Sequence, residues 1–460
     1  MWSCRRQSLL QRLLSLLASA ILLTGGHEAL ATEGPEVKDD PALPLVWLEV
    51  AVNGTALGRM EVLLLEREAP LAAENFRLLC TGELGKNAKG QLRHFKGSYF
   101  YRIVDDFIDQ TGAEADGAFD EPFRCDPGGL ELKHTHKGLL SMAHTGPNTN
   151  GGHFSIMMGP AHHLDGKHVI FGQIIKGMEI AEAVNRLAKT APDGRLKWSK
   201  MAQITDAGQI RRGSWHLTKH FKEAIAAEKN RIAWRNKQPR EELGRLRQLY
   251  DDQSLPMVYF DIALNGTFIG RIDMVLFVRE APLAAESFRL MCSGEEGLVP
   301  QGKQGAGKPY SYKGMHFYRI IHNFIDQGGM GLPSPLGGEH RDDPGGLRLN
   351  HSRMGLLSIA NAQASHNTNH FSIMMSPQPH LNGKMVVFGE IVDGHNVALE
   401  MNAITLGRPK RECVDCKEAQ VIACGQYRRG SAWDEQRVQE TIRAERERLK
   451  KGEPLPGIWG

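Results

Sequence analysis

Five histidines, His144, His153, His162, His163 and His168, crowd one short stretch, and the first chemistry such a cluster suggests is metal ligation. A metal site wants a His-x-x-x-His pair on one helix face or a Cys/His set at ligand spacing. Neither pattern is present, so no metal and no cofactor is expected, and His134 and His136 read as strand or turn residues. The chain holds 7 cysteines. Cys413-x-x-Cys416 has the spacing of a redox motif, but a thioredoxin-like role needs a βαβ context that is lacking around it. Cys292, Cys413, Cys416 and Cys424 allow alternative pairings among which spacing does not choose. One set of polar and apolar residues occurs twice: Arg102, Phe107, Ile108 and Gln110 return as Arg319, Phe324, Ile325 and Gln327. Taken singly, each arginine reads as an exposed strand residue and each phenylalanine as core.

The set recurs because most of the chain does. Asn53-Gly54-Thr55 returns as Asn265-Gly266-Thr267, Arg67 through Glu74 as Arg279 through Glu286, and Phe154 through Met158 as Phe371 through Met375. The second copy has extra residues between Gly294 and Phe317, of which Gly297 to Lys308 reads as a loop. Within a copy, Val46, Leu48, Val50 and Val52 alternate up to an Asn-Gly turn, which is a hairpin signal. Pro70 then suits a helix first turn, followed by Ala72, Phe76, Leu79 and Cys80 at helical spacing. A second helix is expected at Ile180, Val184 and Leu187, mirrored by Val397, Met401 and Ile404. Ser214 can cap a helix striped by Leu217, Phe221, Ala224, Ile225 and Ile232, ended by Pro239, and Val438, Ile442 and Leu449 make a thinner stripe. Glu241 to Tyr250 leads into the second copy.

The wider chain fits this reading. Its 460 residues are 41% hydrophobic and 24% charged, which disfavours wholesale disorder and a multi-span membrane protein. A formal charge of +3 without a long same-sign run makes nucleic acid a poor partner. Arg5, Arg6 and Arg12 precede an apolar run from Leu13 to Leu23 and then Ala29-Leu30-Ala31, the pattern of a signal peptide, too short for a stable membrane span. The expected organisation is a signal peptide at 1–31, a linker at 32–45, domains at 46–210 and 257–427, a helical linker at 211–256, and a C-terminal helix and tail at 428–460. Left uncleaved, the first segment would anchor the chain to a membrane instead. Asn53, Asn265 and Asn350 lie in glycosylation sequons. Oligomeric state is not legible.

Phe100 through Gln110, Ser141-Met142-Ala143 with Gly146 through Gly151, and Leu164 through Gly172 resemble cyclophilin signatures. Phe317 through Gly329, Ser358 through Asn361 with Asn367-Thr368-Asn369, and Leu381 through Gly389 resemble them again. The resemblance implies a mainly β protein: two tandem eight-stranded antiparallel barrels, each closed by two helices and here followed by an extra amphipathic helix. It also implies a groove on each barrel that binds proline-containing peptides or unfolded proteins, and peptidyl-prolyl cis-trans isomerase activity. Amide resonance sets a barrier of about 18–20 kcal/mol to peptide rotation, and no nucleophile is needed to lower it. The family pattern makes Arg102 and Arg319 the groups that draw the prolyl nitrogen lone pair out of resonance. Phe107, Ile108 and Leu164, with Phe324, Ile325 and Leu381, would grip the ring, while Gln110 and Gln327 hold the arginine and the peptide.

Departures from that pattern fall inside the same grooves. Ser155 and Ser372 stand where a pocket Phe is usual, His153 and His370 where Gln is common, and His163 and His380 where Trp is usual. Ala143 and Ala360 keep the pattern. His168 is kept but becomes Met385, and the usual Asn is Asn361 in one copy and His144 in the other. Reduced activity and weak cyclosporin binding are therefore expected. Members with an inserted loop carry one Cys at the first helix end and one in the last strand, which implies a Cys292–Cys424 bridge with Cys413–Cys416 as a second small loop. The implied role is assistance to protein folding in the secretory pathway, in the endoplasmic reticulum lumen or outside the cell. The rival reading is a prolyl-peptide binding scaffold weakened in catalysis.

Overall fold

Asn53 and Gly54 take left-handed backbone, φ 48° and 80°, which a two-residue hairpin turn requires. They fold β1 (Leu45–Val52) onto β2 (Thr55–Leu64), and Asn265 and Gly266, φ 50° and 74°, do the same for β10 (Met257–Leu264) and β11 (Thr267–Leu276). The computed structural model describes residues 39–453 except 88–89, 116, 120–121, 303–304, 333, 362–365 and 429. The expected signal peptide and the last seven residues lie outside the described residues.

The first repeat continues with β3 (Arg102–Val104), β4 (Ile108–Thr111), β5 (Leu139–Met142), β6 (Phe154–Met157), β7 (Ile170–Lys176), β8 (Arg195–Lys197) and β9 (Ala202–Arg211). They form one antiparallel sheet in the order β8-β3-β4-β6-β5-β7-β2-β1-β9. The second repeat matches it with β12 (Arg319–Ile321), β13 (Ile325–Gly328), β14 (Leu356–Ile359), β15 (Phe371–Met374), β16 (Val387–Asp393), β17 (Glu412–Val414) and β18 (Ala419–Arg428). Each sheet curls on itself. The residues before β3 bond to the last strand, Gly97 N to Ile204 O at 2.8 Å and Phe100 N to Ala202 O at 3.0 Å, and Gly314 N and Phe317 N bond likewise to Val421 O and Ala419 O. The expected eight strands become nine because β8 and β17 are three-residue edge strands, too short to show an alternating pattern.

Helix α1 (Pro70–Thr81) drives Phe76 into the first barrel, where its ring lies 4.8 Å from Phe95 and 4.9 Å, edge to face, from Phe154. Its N-terminal residue Ala69 has no side-chain cap; Asp126, just before the short α2 (Pro127–Glu131), accepts from Leu71 N and Ala72 N instead. That distant cap satisfies two of the amides a helix start leaves open, and explains why Asp-Pro-Gly-Gly recurs. A side chain at Gly128 would meet Glu68 O at 2.6 Å. Helix α3 (Met178–Asn185) covers the other end.

Two helices then link the barrels, α4 (Lys219–Arg235) and α5 (Arg240–Asp251), the second where only a lead-in was expected. The cap of α4 is Thr218, whose hydroxyl accepts from Phe221 N at 3.3 Å, rather than Ser214, and Leu217 falls outside the buried stripe, in a preceding turn. In the second repeat α6 (Pro282–Ser293), α7 (Pro344–Leu347), α8 (His395–Ala403) and the trailing α9 (Gln436–Lys451) take the corresponding places. Helix α9 lies on α6 of its own barrel, whereas α4 touches both α1 and, more extensively, β11 and α8 of the second barrel.

Charge is buried along that second contact. Arg124 donates to Asp273 at 3.2 Å and to Arg271 O at 2.9 Å, while Arg231 on α4 bonds Asp393 at 3.1 Å and Glu228 at 2.6 Å. Asp273 is 0% exposed and Asp393 4%. Trp234 stacks on His395 with centroids 5.0 Å apart and planes 3° from parallel. Among the described residues, no helix is long and apolar enough to cross a membrane.

Candidate functional site

Strand register builds the site. Arg102 on β3 lies opposite Gln110 on β4, Gln110 opposite Ser155 on β6, and Ser155 opposite Ser141 on β5. Because successive side chains alternate between faces, this row shares one face of the curled sheet, and Ile103, Asp109 and Ile156 share the other. Arg102 Nη1 donates to Gln110 Oε1 at 3.1 Å. Along the row runs a cleft of about 650 Å³ whose walls include Phe107, Ile108, Ala143, His144, His153, His163, Leu164 and His168 as well as Arg102, Gln110 and Ser155. Every residue given a catalytic or peptide-binding role in the first copy thus lines one concave surface, whereas His134, His136 and His162 are not among its walls. Phe107 and Leu164 pack against the buried Ile108 to form its apolar end.

The histidines are tied individually rather than gathered on a common point. His144 and His168 stack at 4.3 Å, His144 Nε2 bonding Lys167 O and His168 Nδ1 bonding Met142 O. Burial, with repulsion from His168, pulls His144 down to about 4, and burial also lowers His168 and His153. At neutral pH these three rings are uncharged, so they line the cleft as polar but neutral groups. His153 Nδ1 lies 3.1 Å from Tyr101 Oη, and the His163 ring lies 5.3 Å from Phe107. Among the described residues the one group near enough together to hold a metal is Cys413, Cys416 and Glu418, whose sulfurs are already bonded to each other.

The second copy repeats the row as Arg319, Gln327, Ser372 and Ser358. Its details differ. Arg319 donates from Nε to Glu412 on β17 at 2.8 Å, and Gln327 turns to Ser372 Oγ at 3.1 Å. Phe324 and Leu381 pack on Ile325, with His380 5.7 Å from Phe324. Ala360 N bonds His370 O, Asn361 donates to Asn367, and Met385 N bonds back to Leu381 O.

Of the two bridges expected in the second copy, one is present. Cys413 and Cys416 form a disulfide, but Cys292 and Cys424 are free thiols, as are Cys80 and Cys125. Cys424 Sγ is turned to Ser311 Oγ at 3.5 Å and Met291 O at 3.9 Å, so it is satisfied without Cys292, which sits in the apolar core.

Several positioning residues escape sequence reading. Asn185, closing α3, donates to Asp109 at 2.7 Å and to Val104 O, and accepts from Asp106 N, so it holds the turn between Arg102 and Phe107. Asn402 does the same with Asp326, Ile321 O and Asn323 N. Burial lifts Asp109 to about 8, against the pull of Asn185, so its carboxyl is protonated at neutral pH. Beneath the cleft Ser141 Oγ lies 3.0 Å from His134 Nε2, and His134 Nδ1 3.0 Å from Asp165. Burial raises Asp165, but bonds from His134 and His162 outweigh it and bring it to about 2. In the second copy Asn382 replaces that acid beside His351. With Ser141 2% exposed, the trio braces the cleft floor rather than presenting a nucleophile. The recurrence of Asp109 as Asp326 and of Asn185 as Asn402 was the available signal.

A family model described as cyclophilin type peptidyl-prolyl cis-trans isomerase/CLD matches residues 47–209 and 259–421. Among curated proteins, peptidyl-prolyl cis-trans isomerase 9 of Caenorhabditis briggsae is 39% identical over 171 residues, 36% of this chain and 54% of that protein. The match thus spans about half the length of that relative.

Proposed function

The chain belongs to the cyclophilin-type peptidyl-prolyl cis-trans isomerase family, and from that premise we propose that it accelerates rotation about X-Pro bonds, chiefly in its first cleft. One observation carries the reading: Arg102, oriented by Gln110, stands at a cleft whose other end is the apolar Phe107, Ile108 and Leu164. The apolar end grips the pyrrolidine ring while the guanidinium donates toward the prolyl amide, favouring the pyramidal nitrogen of the twisted state over the planar one. Neutral His144, His153 and His168 leave Arg102 the dominant charge there. Ser155 gives less apolar surface than an aromatic ring, at a cost of about 1–3 kcal/mol in prolyl binding, so turnover is modest. Its partners are proline-containing peptides or unfolded chains.

A second reading, a binding module, is favoured for the second cleft alone, because Arg319 is engaged by Glu412. We place the protein in the secretory pathway. This rests on the charged and apolar pattern of its first residues, on a disulfide at Cys413–Cys416, and on the exposure of the sequon residues Asn53, Asn265 and Asn350. A protease-coupled isomerisation assay on the full chain tests the activity, with Arg102→Ala expected to lose more of the rate than Arg319→Ala. Equal losses would reject the assignment of labour. Mapping the N-terminus of cell-made protein tests the location: an intact N-terminus, with no cleavage after Ala31, would count against it.

A further inference from the structure

Beside the first cleft is a smaller cavity of about 170 Å³, lined by Asn148 and Thr149 from the first barrel, Arg231 and Arg235 from α4, Arg247 and Tyr250 from α5, and Asp393 from the second barrel. Thr149 lines both spaces, so the cavity adjoins the cleft across that residue. At that size, below the roughly 300–1,000 Å³ of ligand sites, it has room for a side chain rather than a cofactor. Its walls are not charge-balanced. Arg231 is consumed by Glu228 and Asp393. Arg247 pairs with Asp251 on its exposed side, and its guanidinium comes within 3.0 Å of where a side chain at Gly146, in the cleft loop, would begin. The Arg235 guanidinium makes no hydrogen bond or ion pair among the described residues, although the residue is half-buried and its carbonyl accepts from Gln238 N. Burial, against the attraction of Asp393 and with the repulsion of Arg231, Arg124 and Arg247, holds its pKa below the ordinary value. An anion there would relieve that repulsion.

The loop that carries Thr149 is tied in place. Asn148 Nδ2 donates to Tyr250 Oη at 2.7 Å and its Oδ1 accepts from Cys125 N at 2.9 Å, which ties the loop of the first cleft to α5. The second repeat has Gly452 at the place of Arg235.

We infer that this cavity is a subsite for an acidic side chain flanking the proline, so that the first cleft prefers peptides with Asp or Glu near the X-Pro bond. The carboxylate would pass over Thr149 and pair with Arg235 and Arg247, guanidiniums suited to carboxylates by their planar donor geometry. The inference rests on the first cleft binding prolyl peptides.

The test uses the full chain and two fluorescently labelled peptides that differ only in carrying Glu or Gln beside the X-Pro pair, with binding read by anisotropy and isomerisation followed in parallel. The Glu peptide is expected to bind about fivefold to tenfold tighter at low salt, the advantage shrinking as salt rises. Arg235→Gln with Arg247→Gln is expected to abolish that advantage while leaving turnover of the Gln peptide unchanged. Equal binding of both peptides by the parent, or an advantage surviving in the double variant, would overturn the subsite. Failure of the parent to turn over the Gln peptide would instead strike the isomerase reading, and the binding comparison would still decide the subsite.

Discussion

Arg319 is held by Glu412 at 2.8 Å, across the pairing of β12 with β17. In the first repeat the same two strands place Arg195 opposite Val104 and Lys197 opposite Arg102, so Arg102 faces cations where Arg319 faces a carboxylate. A guanidinium already paired must give up that bond before it serves a substrate, whereas one repelled by its neighbours is free to accept a partner. Two sites of like residues are thereby set to different readiness by an edge strand of three residues.

Removing the restraint should therefore raise the second site. In an Arg102→Ala background, Glu412→Gln is expected to increase the residual isomerisation rate severalfold, since a half-exposed ion pair is worth about 0.2–1 kcal/mol. An unchanged or lower residual rate in the coupled assay would show that Glu412 does not limit Arg319.

The buried charges between the barrels predict an unequal pair of stability effects. Arg124→Met removes the ion-pair partner of buried Asp273, leaving it Tyr427 Oη and the nearby charge of Arg271, and should cost about 3 kcal/mol, measured as a fall in the urea midpoint. Arg124→Met with Asp273→Leu should recover much of that loss, because no lone charge remains. If the single variant were as stable as the parent, the cluster would be energetically idle.

Much of this was legible in advance, and the reason differs by element. The Asn-Gly hairpins announce themselves because few residues tolerate left-handed backbone, and the Arg, Phe and Gln row because it recurs at fixed spacing. What stayed hidden depends on pairs remote in sequence. Arg124 with Asp273, Trp234 with His395, and Arg235 with the loop at Thr149 each join segments whose juxtaposition only the docking of α4 and α5 creates. Cys292 and Cys424 show the converse: a pattern borrowed from relatives suggested a bond, and a nearby hydroxyl and carbonyl took its place.

His395 makes stability depend on pH. Burial pulls its folded pKa down to about 4, against the attraction of Asp393, Glu390 and Glu242, while the unfolded value is about 6.5. Between those values the unfolded chain binds a proton that the folded chain does not, so stability rises with pH across about 4 to 6.5 and is lost as pH falls through that window. The contribution is at most about 3.4 kcal/mol. His395→Phe, which keeps a ring for Trp234, should flatten the slope in urea titrations at pH 4.5 and 7; an identical slope would remove His395 as its source.

The thiol pattern is open to chemical mapping. Alkylation of the unreduced, unfolded protein should modify Cys80, Cys125, Cys292 and Cys424 and leave a Cys413–Cys416 linked peptide. A peptide joining Cys292 to Cys424 would contradict the arrangement.

Cyclosporin should inhibit poorly, because His163 and His380 offer neither the area nor the indole donor of a tryptophan. His163→Trp should strengthen inhibition of the first site about tenfold, roughly 1.4 kcal/mol. Tight inhibition of the parent would reverse this.

X-Pro rotation is assigned chiefly to Arg102, with Arg319, held by Glu412, as the lesser contributor. The most direct test of that assignment is the isomerisation rate of the full chain against that of Arg102→Ala with Arg319→Ala, each shown by circular dichroism to be folded alike. The double variant is expected to lose at least about nine-tenths of the acceleration, equivalent to about 1.4 kcal/mol or more of transition-state stabilisation. A double variant that matched the parent rate while keeping its spectrum would contradict the assignment.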